Sequence, residues 1–216
     1  MNAAVWKSAT LRLGALLLAT ATLSACAPLV LGTAVGGAFM ASDRRTSGSQ
    51  LEDQGIEIKA SSRIREVIGE RAHINLNSYN RLVLLTGEVP TDADKEAAAQ
   101  AVRQVENVTG VVNELAVTMN SSITSRSSDV ILEGKVKATF VDARDLFANA
   151  FSVVVERGEV YLMGLVTERE ANRAAELAAS IQGVKRVVKV MQIISEDELA
   201  RKLPRPAPVT QSAPAQ

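Results

Sequence analysis

Gly158-Glu159-Val160-Tyr161-Leu162-Met163-Gly164-Leu165-Val166-Thr167-Glu168-Arg169-Glu170-Ala171 is the stretch on which the fold of this chain turns. Glu159 to Met163 is an apolar, β-branched run. Phe151 to Glu156 is another, and the Arg157-Gly158 pair between them is a two-residue hairpin signal. Thr167-x-x-Glu170 has the form of a capping box, in which side chains satisfy the first unpaired backbone N–H groups of a helix. Ala171, Ala174, Ala178 and Ile181 then recur at helical spacing, Gly183 closes that helix, and Val184 to Ile194 supplies a last strand. Upstream, Leu132, Val136, Thr139, Phe140 and Ala143 share one face of a 3.6-residue helix. The order is helix, strand, strand, helix, strand.

The same order occurs earlier in the chain. Asp53-Gln54-Gly55-Ile56-Glu57-Ile58-Lys59 matches Asp129-Val130-Ile131-Leu132-Glu133-Gly134-Lys135 in its Asp, apolar, Glu and Lys positions. Val83 to Val89 matches Val160 to Val166, Thr91 matches Thr167, and Val111-Val112 matches Val187-Val188. Thr91-x-x-Asp94 caps the helix of the first copy. Ala97, Ala98, Ala101, Val102 and Val105 form its buried stripe, and Val108 to Val117 its last strand. Two copies of one small unit are present. The expected fold class is α+β, each copy a small three-stranded mixed sheet with both helices on one face. Each copy alone buries a modest core, so packing of one on the other would add stability.

The expected boundaries are a signal peptide over 1–25, a lipidated Cys and tether over 26–50, and a first unit over 51–119. A polar linker over 120–128 that permits motion, a second unit over 129–195, and a C-terminal extension and disordered tail over 196–216 complete the chain. Lys7 and Arg12 precede the uncharged run Leu13 to Thr22, which is shorter than the ~20 residues needed to span a bilayer and reads as a signal peptide. Pro28 to Ala41 is apolar and small, suited either to lying against a bilayer or to packing on the folded part, and Ser42 to Ser49 is a polar spacer. Leu203 to Gln216 holds four of the six prolines, a composition that builds no core.

Of 216 residues, 24 are Lys or Arg and 24 are Asp or Glu, and only 3% are aromatic, which argues against nucleic acid as a partner. One Cys forms no intramolecular disulfide, and one Cys with one His does not supply the three or four soft ligands of a closed zinc site, so neither a disulfide scaffold nor structural zinc is expected. No metal site and no cofactor beyond a covalent lipid are expected. His73 reads as a surface or edge residue near the first strand of copy one. There is no Gly-x-Ser-x-Gly elbow, His-Glu-x-x-His pair or phosphate loop, and Glu168 and Glu170 do not converge at i, i+2 on a helix. No enzymatic activity is expected.

Leu23-Ser24-Ala25-Cys26, behind a basic and then an apolar segment, resembles a bacterial lipobox. That resemblance implies a diacylglycerol thioether on Cys26, an acylated (palmitate-type) amino terminus after cleavage, and, with Ala27 next, export to the outer membrane. Gly87 and Gly164, the capped Ala-rich helices and the Val-x-x-Val-Val strands resemble the BON domain; the stretch quoted above, with Gly183-Val184-Lys185-Arg186-Val187 behind it, carries this most specifically. A lipobox followed by two such units, over roughly residues 23 to 194, resembles a dual-BON outer-membrane lipoprotein facing the periplasm. The resemblance implies binding of anionic phospholipid by the second unit, support of envelope integrity, and enrichment at division sites.

The two copies differ where only one has that task. At about 100° per residue, Val130 and Ile131 point away from the core face of their helix, whereas copy one has Gln54 and Gly55 there. Gly134 and Ala138 keep the surface low, and Lys135 and Lys137 flank it, a pattern suited to insertion below phosphate headgroups. Packing of Val130 and Ile131 against copy one or the linker is the alternative. Lys185, Arg186 and Lys189, opposite Thr109, Gly110 and Asn113, are a second basic group, either headgroup contacts or a solvated strand end. Residues 53–119 carry 7 basic and 10 acidic groups and residues 129–194 carry 9 of each, so the second copy is the less repelled by an anionic bilayer. Two other roles stay open: an adaptor binding envelope proteins through exposed sheet edges, and a chaperone-like envelope stress protein.

Overall fold

In both repeats one aspartate fastens the first helix to the hairpin that follows it. Asp53 lies in α1 (Ser47–Ile68), and its buried carboxylate accepts the backbone N–H groups of Asn80 and Arg81, each at 2.7 Å. These two residues join β1 (His73–Tyr79) to β2 (Leu82–Val89), with φ of 48° and 70°. Positive φ at both positions is the turn that matches strand twist, and its inward N–H groups need an acceptor. The second repeat has the same arrangement. Asp129 of α3 (Ile123–Asp142) accepts from Arg157 N at 2.9 Å and Gly158 N at 2.8 Å, between β5 (Phe151–Glu156) and β6 (Glu159–Val166).

The computed structural model describes residues 43–119 and 122–202. The signal peptide, Cys26, the apolar tether and the Pro-rich tail therefore lie outside the described residues. After the first hairpin come α2 (Asp92–Arg103), β3 (Gly110–Asn113) and β4 (Ala116–Val117). After the second come α4 (Glu168–Ala179), β7 (Arg186–Ile193) and α5 (Glu196–Lys202). β1 pairs antiparallel with β2, and β3 and β4 pair parallel with β2 on its other edge. β6 sits in the same way between antiparallel β5 and parallel β7. This is the αββαβ order expected of each copy.

Three details depart from the expected elements. The last strand of copy one is broken, because Asn113 turns its side chain back, accepting from Leu115 N and donating to the Lys95 carbonyl. Helix α4 ends at Ala179, so Gly183 belongs to the loop beyond it, where its φ of 105° suits glycine. Ser122 caps α3 by accepting from Ser125 N, so 123–128 of the expected linker are helical. The repeat glycines have a steric reason: a Cβ on Gly87 would lie 2.1 Å from the His73 carbonyl oxygen, and one on Gly164 would lie 2.5 Å from that of Ala150.

Alternation along the central strands builds two sheet faces. Val83, Leu85 and Val89 face α1 and α2, meeting Ile56, Ala60, Ile64 and Ile68. Val160 and Leu162 face α3 and α4, meeting Leu132, Val136 and Phe140. The opposite faces cover one another: Tyr79 and Leu84 of the first sheet pack with Tyr161, Met163, Leu165 and Val190 of the second. Ile194 and Leu199 close that cluster, which explains the ordering of α5 within a stretch expected to be an extension. The repeats are thus stacked sheet on sheet, with helices outermost. Polar contacts rim the seam. Asn80 Nδ2 donates to Gln192 Oε1, Arg186 pairs with Glu114 at 2.8 Å, and Asn75 Nδ2 donates to Glu156 Oε2 at 2.7 Å. Burial pushes the Glu156 carboxyl up, the Asn75 hydrogen bond opposes the rise, and the Glu88 charge adds to it.

A strap just before α1 grips both repeats. Arg44 makes two 2.8 Å hydrogen bonds to Glu170, the capping-box residue of α4, with both side chains buried. Arg45 donates to Asp53 at 2.7 Å and lies 4.0 Å from the Tyr79 ring centre, while Tyr79 Oη donates to Asp43. Residues 43–50, expected within a flexible tether, are held because these guanidiniums reach buried carboxylates and Thr46 caps α1. Burial alone would raise the Glu170 carboxyl, but hydrogen bonds from Arg44 and Thr167 outweigh it and hold it at about 2.

Replacing Asp129 by Ala strands two buried N–H groups and should lower stability by about 3 kcal/mol in urea titration. Asp53→Ala should cost more, since Asp53 also accepts from Ser78 Oγ and Arg45. Glu170→Gln leaves Arg44 buried without its charge partner, a loss of about 3–5 kcal/mol at neutral pH. The Glu170 value is depressed on folding, so its contribution is whole above about pH 4.5 and fades as pH falls toward about 2. The gap in melting temperature between wild type and Glu170→Gln should close over that interval.

Candidate functional site

Stacking through the sheets leaves the outer side of α3 uncovered. Val130 and Ile131 are 69% and 62% exposed, and Val130 borders a cavity shared with Asn75, Leu76 and Asn77 of the first repeat. Gly134, Lys135, Lys137 and Ala138 are exposed beside them. Val141, 72% exposed, continues the strip at i+7 from Gly134 and i+11 from Val130. Sequence reasoning missed it, although the spacing was available, because the outer face was read only as far as Ala138. Val130, Gly134, Ala138 and Val141 make a narrow apolar line along the helix, with Lys137 at its edge.

The cations of this surface differ in availability. Lys137 is paired with Glu133 one turn back, which reduces its pull on an external anion. Lys135 has no ion-pair partner among the described residues. Beside Ile131 a groove of about 420 Å³ is lined by Ser128, Lys135, Arg157 and Lys185, and by Asp129, whose carboxylate is occupied by the turn N–H groups of Arg157 and Gly158. The fold closes it. Lys185 N donates to the Gly158 carbonyl at 2.8 Å, bringing the loop after α4 onto the hairpin turn, and Lys185 Nζ donates to the Arg157 carbonyl at 2.9 Å. Gly158 adopts φ of 77°, and a Cβ there would crowd Lys185 Cε at 3.2 Å. Three cationic side chains thus meet an exposed isoleucine, with serine hydroxyls alongside. Such a groove can receive a phosphate oxyanion at its mouth while the adjoining apolar strip meets hydrocarbon.

The structure separates the three residues of the second basic group. Lys185 joins the groove. Arg186 lies on the seam, its guanidinium taken by Glu159 and by Glu114 of the other repeat, and those bonds raise its pKa further. Lys189 points toward α4, donating to Asn172 Oδ1 at 3.1 Å. Arg157 was known from sequence only as a hairpin residue, and its place in the groove depends on the return of the loop at 185.

The first repeat is less bland than its Gln54 and Gly55 suggested. On α1, Leu51 and Ile58 are also exposed. An exposed apolar pair on the first helix is therefore common to both repeats. The cationic groove is what sets α3 apart, because the copy-one counterpart of Lys185 is Thr109, whose hydroxyl donates to the Arg81 carbonyl. Among the described residues no helix is long and apolar enough to cross a membrane.

Comparison with known proteins agrees with the duplicated architecture. The BON domain model matches residues 58–119 and 128–195. The chain is 39% identical over 186 residues to the outer membrane lipoprotein DolP of Haemophilus influenzae, covering 85% of this chain and 96% of that relative. It is 30% identical over 154 residues to a 21 kDa hemolysin of Actinobacillus pleuropneumoniae, covering 70% and 79% of the two chains. It is 26% identical over 144 residues to the osmotically-inducible protein Y of Escherichia coli, covering 65% and 72%. With two matched αββαβ repeats, the chain belongs to the BON-domain family.

Proposed function

We propose that this protein is an outer-membrane lipoprotein, anchored by acyl chains on Cys26 and facing the periplasm, whose second BON domain binds anionic phospholipid and supports envelope integrity. Enrichment at division sites, where the membrane surface is remodelled, belongs to the same reading. The observation that carries it is the exposed strip Val130, Ile131, Val141 beside the groove of Lys135, Arg157 and Lys185. Apolar side chains lose contact with water on entering the acyl region, and each cation near an anionic surface adds on the order of 1 kcal/mol. The similarity to an outer membrane lipoprotein and the Leu23-Ser24-Ala25-Cys26 motif support the location. The partners are then the inner leaflet of the outer membrane and its anionic lipids, with envelope proteins a further possibility through the rims of the sheets.

The chain from Asp43 onward, lacking the anchor but keeping the strap, should float with phosphatidylglycerol vesicles and not with phosphatidylcholine vesicles. Ile131→Glu and Val141→Glu should each abolish flotation, whereas Ile58→Glu on the first repeat should leave it unchanged. Charge reversal at Lys135 and Lys185 together should weaken binding by more than about 30-fold, two lysines' worth of attraction. Flotation unaffected by Ile131→Glu would sink the proposal.

A further inference from the structure

We propose that His73, Glu88 and Glu156 form a site for one divalent transition-metal cation of the zinc type at the seam between the two BON domains. His73 opens β1 and is opposite Glu88 in β2, while Glu156 ends β5 of the other domain. One donor atom from each lies within 4.8 Å of the others. His73 Nδ1 and Glu88 Oε2 share a hydrogen bond at 3.2 Å, a separation close to the ~3.4 Å expected of two ligands about 2.1 Å from a tetrahedral ion that would replace the shared proton. Small side-chain rotations bring the third donor within reach.

Burial gives these groups a use for a cation. Glu88 is 0% exposed and Glu156 is 5% exposed. Two carboxylates brought together away from water lose hydration and repel one another. Glu156 makes no ion pair with Lys or Arg among the described residues; its hydrogen bond comes from the neutral amide of Asn75. A divalent ion between a neutral imidazole and two carboxylates balances that charge, with water able to complete four-coordination. Thr86 Oγ1, on the same face of β2, is fully buried with no partner among the described residues. It adds an unused oxygen to this polar edge of the seam. Asn75 holds the Glu156 carboxylate at 2.7 Å, as an outer-shell partner does. A cavity of about 440 Å³ reaches His73, Asn75 and Glu156 and offers the entry path.

The ligands come from both domains, so the ion bridges the stack and its binding stabilises the joined form. Full-length protein, freed of metal by chelation, is titrated with zinc chloride by calorimetry and by thermal melting. One zinc per chain should bind, with a rise in melting temperature. Glu156→Gln and His73→Ala should each weaken binding by more than about 10-fold, and Asn75→Ala by about 10-fold. X-ray absorption should show one imidazole nitrogen with oxygen neighbours and no sulfur, which separates this site from the sulfur of Cys26. Glu156→Gln and His73→Ala carry the test, since Glu88 is fully buried and its replacement also probes folding. Absence of saturable binding, binding unchanged in Glu156→Gln, or sulfur ligation would each overturn the proposal. None of these substitutions replaces a residue of α3, so zinc binding is read separately from vesicle flotation.

Discussion

A carboxylate buried under a hairpin turn is the constraint on which the structure depends. The turns at Asn80-Arg81 and Arg157-Gly158 aim backbone N–H groups toward the preceding helix, where a carboxylate rather than a strand partner accepts them. Asp53 and Asp129 supply the acceptors from helix positions 27 and 28 residues before the first residue of each turn. One polar contact therefore sets the rotation of each first helix as well as its position along the sheet. With the helix rotated so that Leu132, Val136 and Phe140 reach the sheet, Val130, Ile131 and Val141 have nowhere to go but outward. The exposed strip follows from the same carboxylate that closes the turn.

Duplication then solves a problem that one repeat cannot. A sheet with both helices on one face leaves its other face bare, and a bare apolar face in water is an aggregation risk. Each repeat covers the other, burying Leu84 against Tyr161 and Met163. This stacking consumes sheet faces rather than helices, so the helical surfaces stay available for ligands. The strap reinforces it: adjacent arginines reach Glu170 in one repeat and Asp53 in the other, so the segment just before α1 is fastened to both.

Much of this was legible in sequence because it rests on local chemistry. Thr167-x-x-Glu170 named a helix start by its hydrogen bonds, and Arg157-Gly158 named a turn by its backbone angles. The offset repeat named the order of elements. Other features were hidden for equally physical reasons. The repeat suggested that one copy packs on the other, but not that the contact is made by the two sheet faces. The break at Glu114 depends on Asn113 reaching Lys95, and the helical start of α3 on a serine whose cap competes with the flexible reading of a Ser-rich segment.

By itself, then, the sequence determined the two αββαβ repeats, their caps and turns, and the apolar residues off the core face of the second unit's first helix. Periodicity and capping act over a few residues, so they leave a readable trace. Only the tertiary structure decided which charges are available and which are spent. Lys185 and Arg157 meet in one groove, whereas Arg186, next in sequence to Lys185, is bound across the seam. His73 and Glu88 became neighbours of Glu156 in the same way, through the stacking of sheets distant in sequence. Such meetings depend on packing between elements, and no spacing along the chain encodes them.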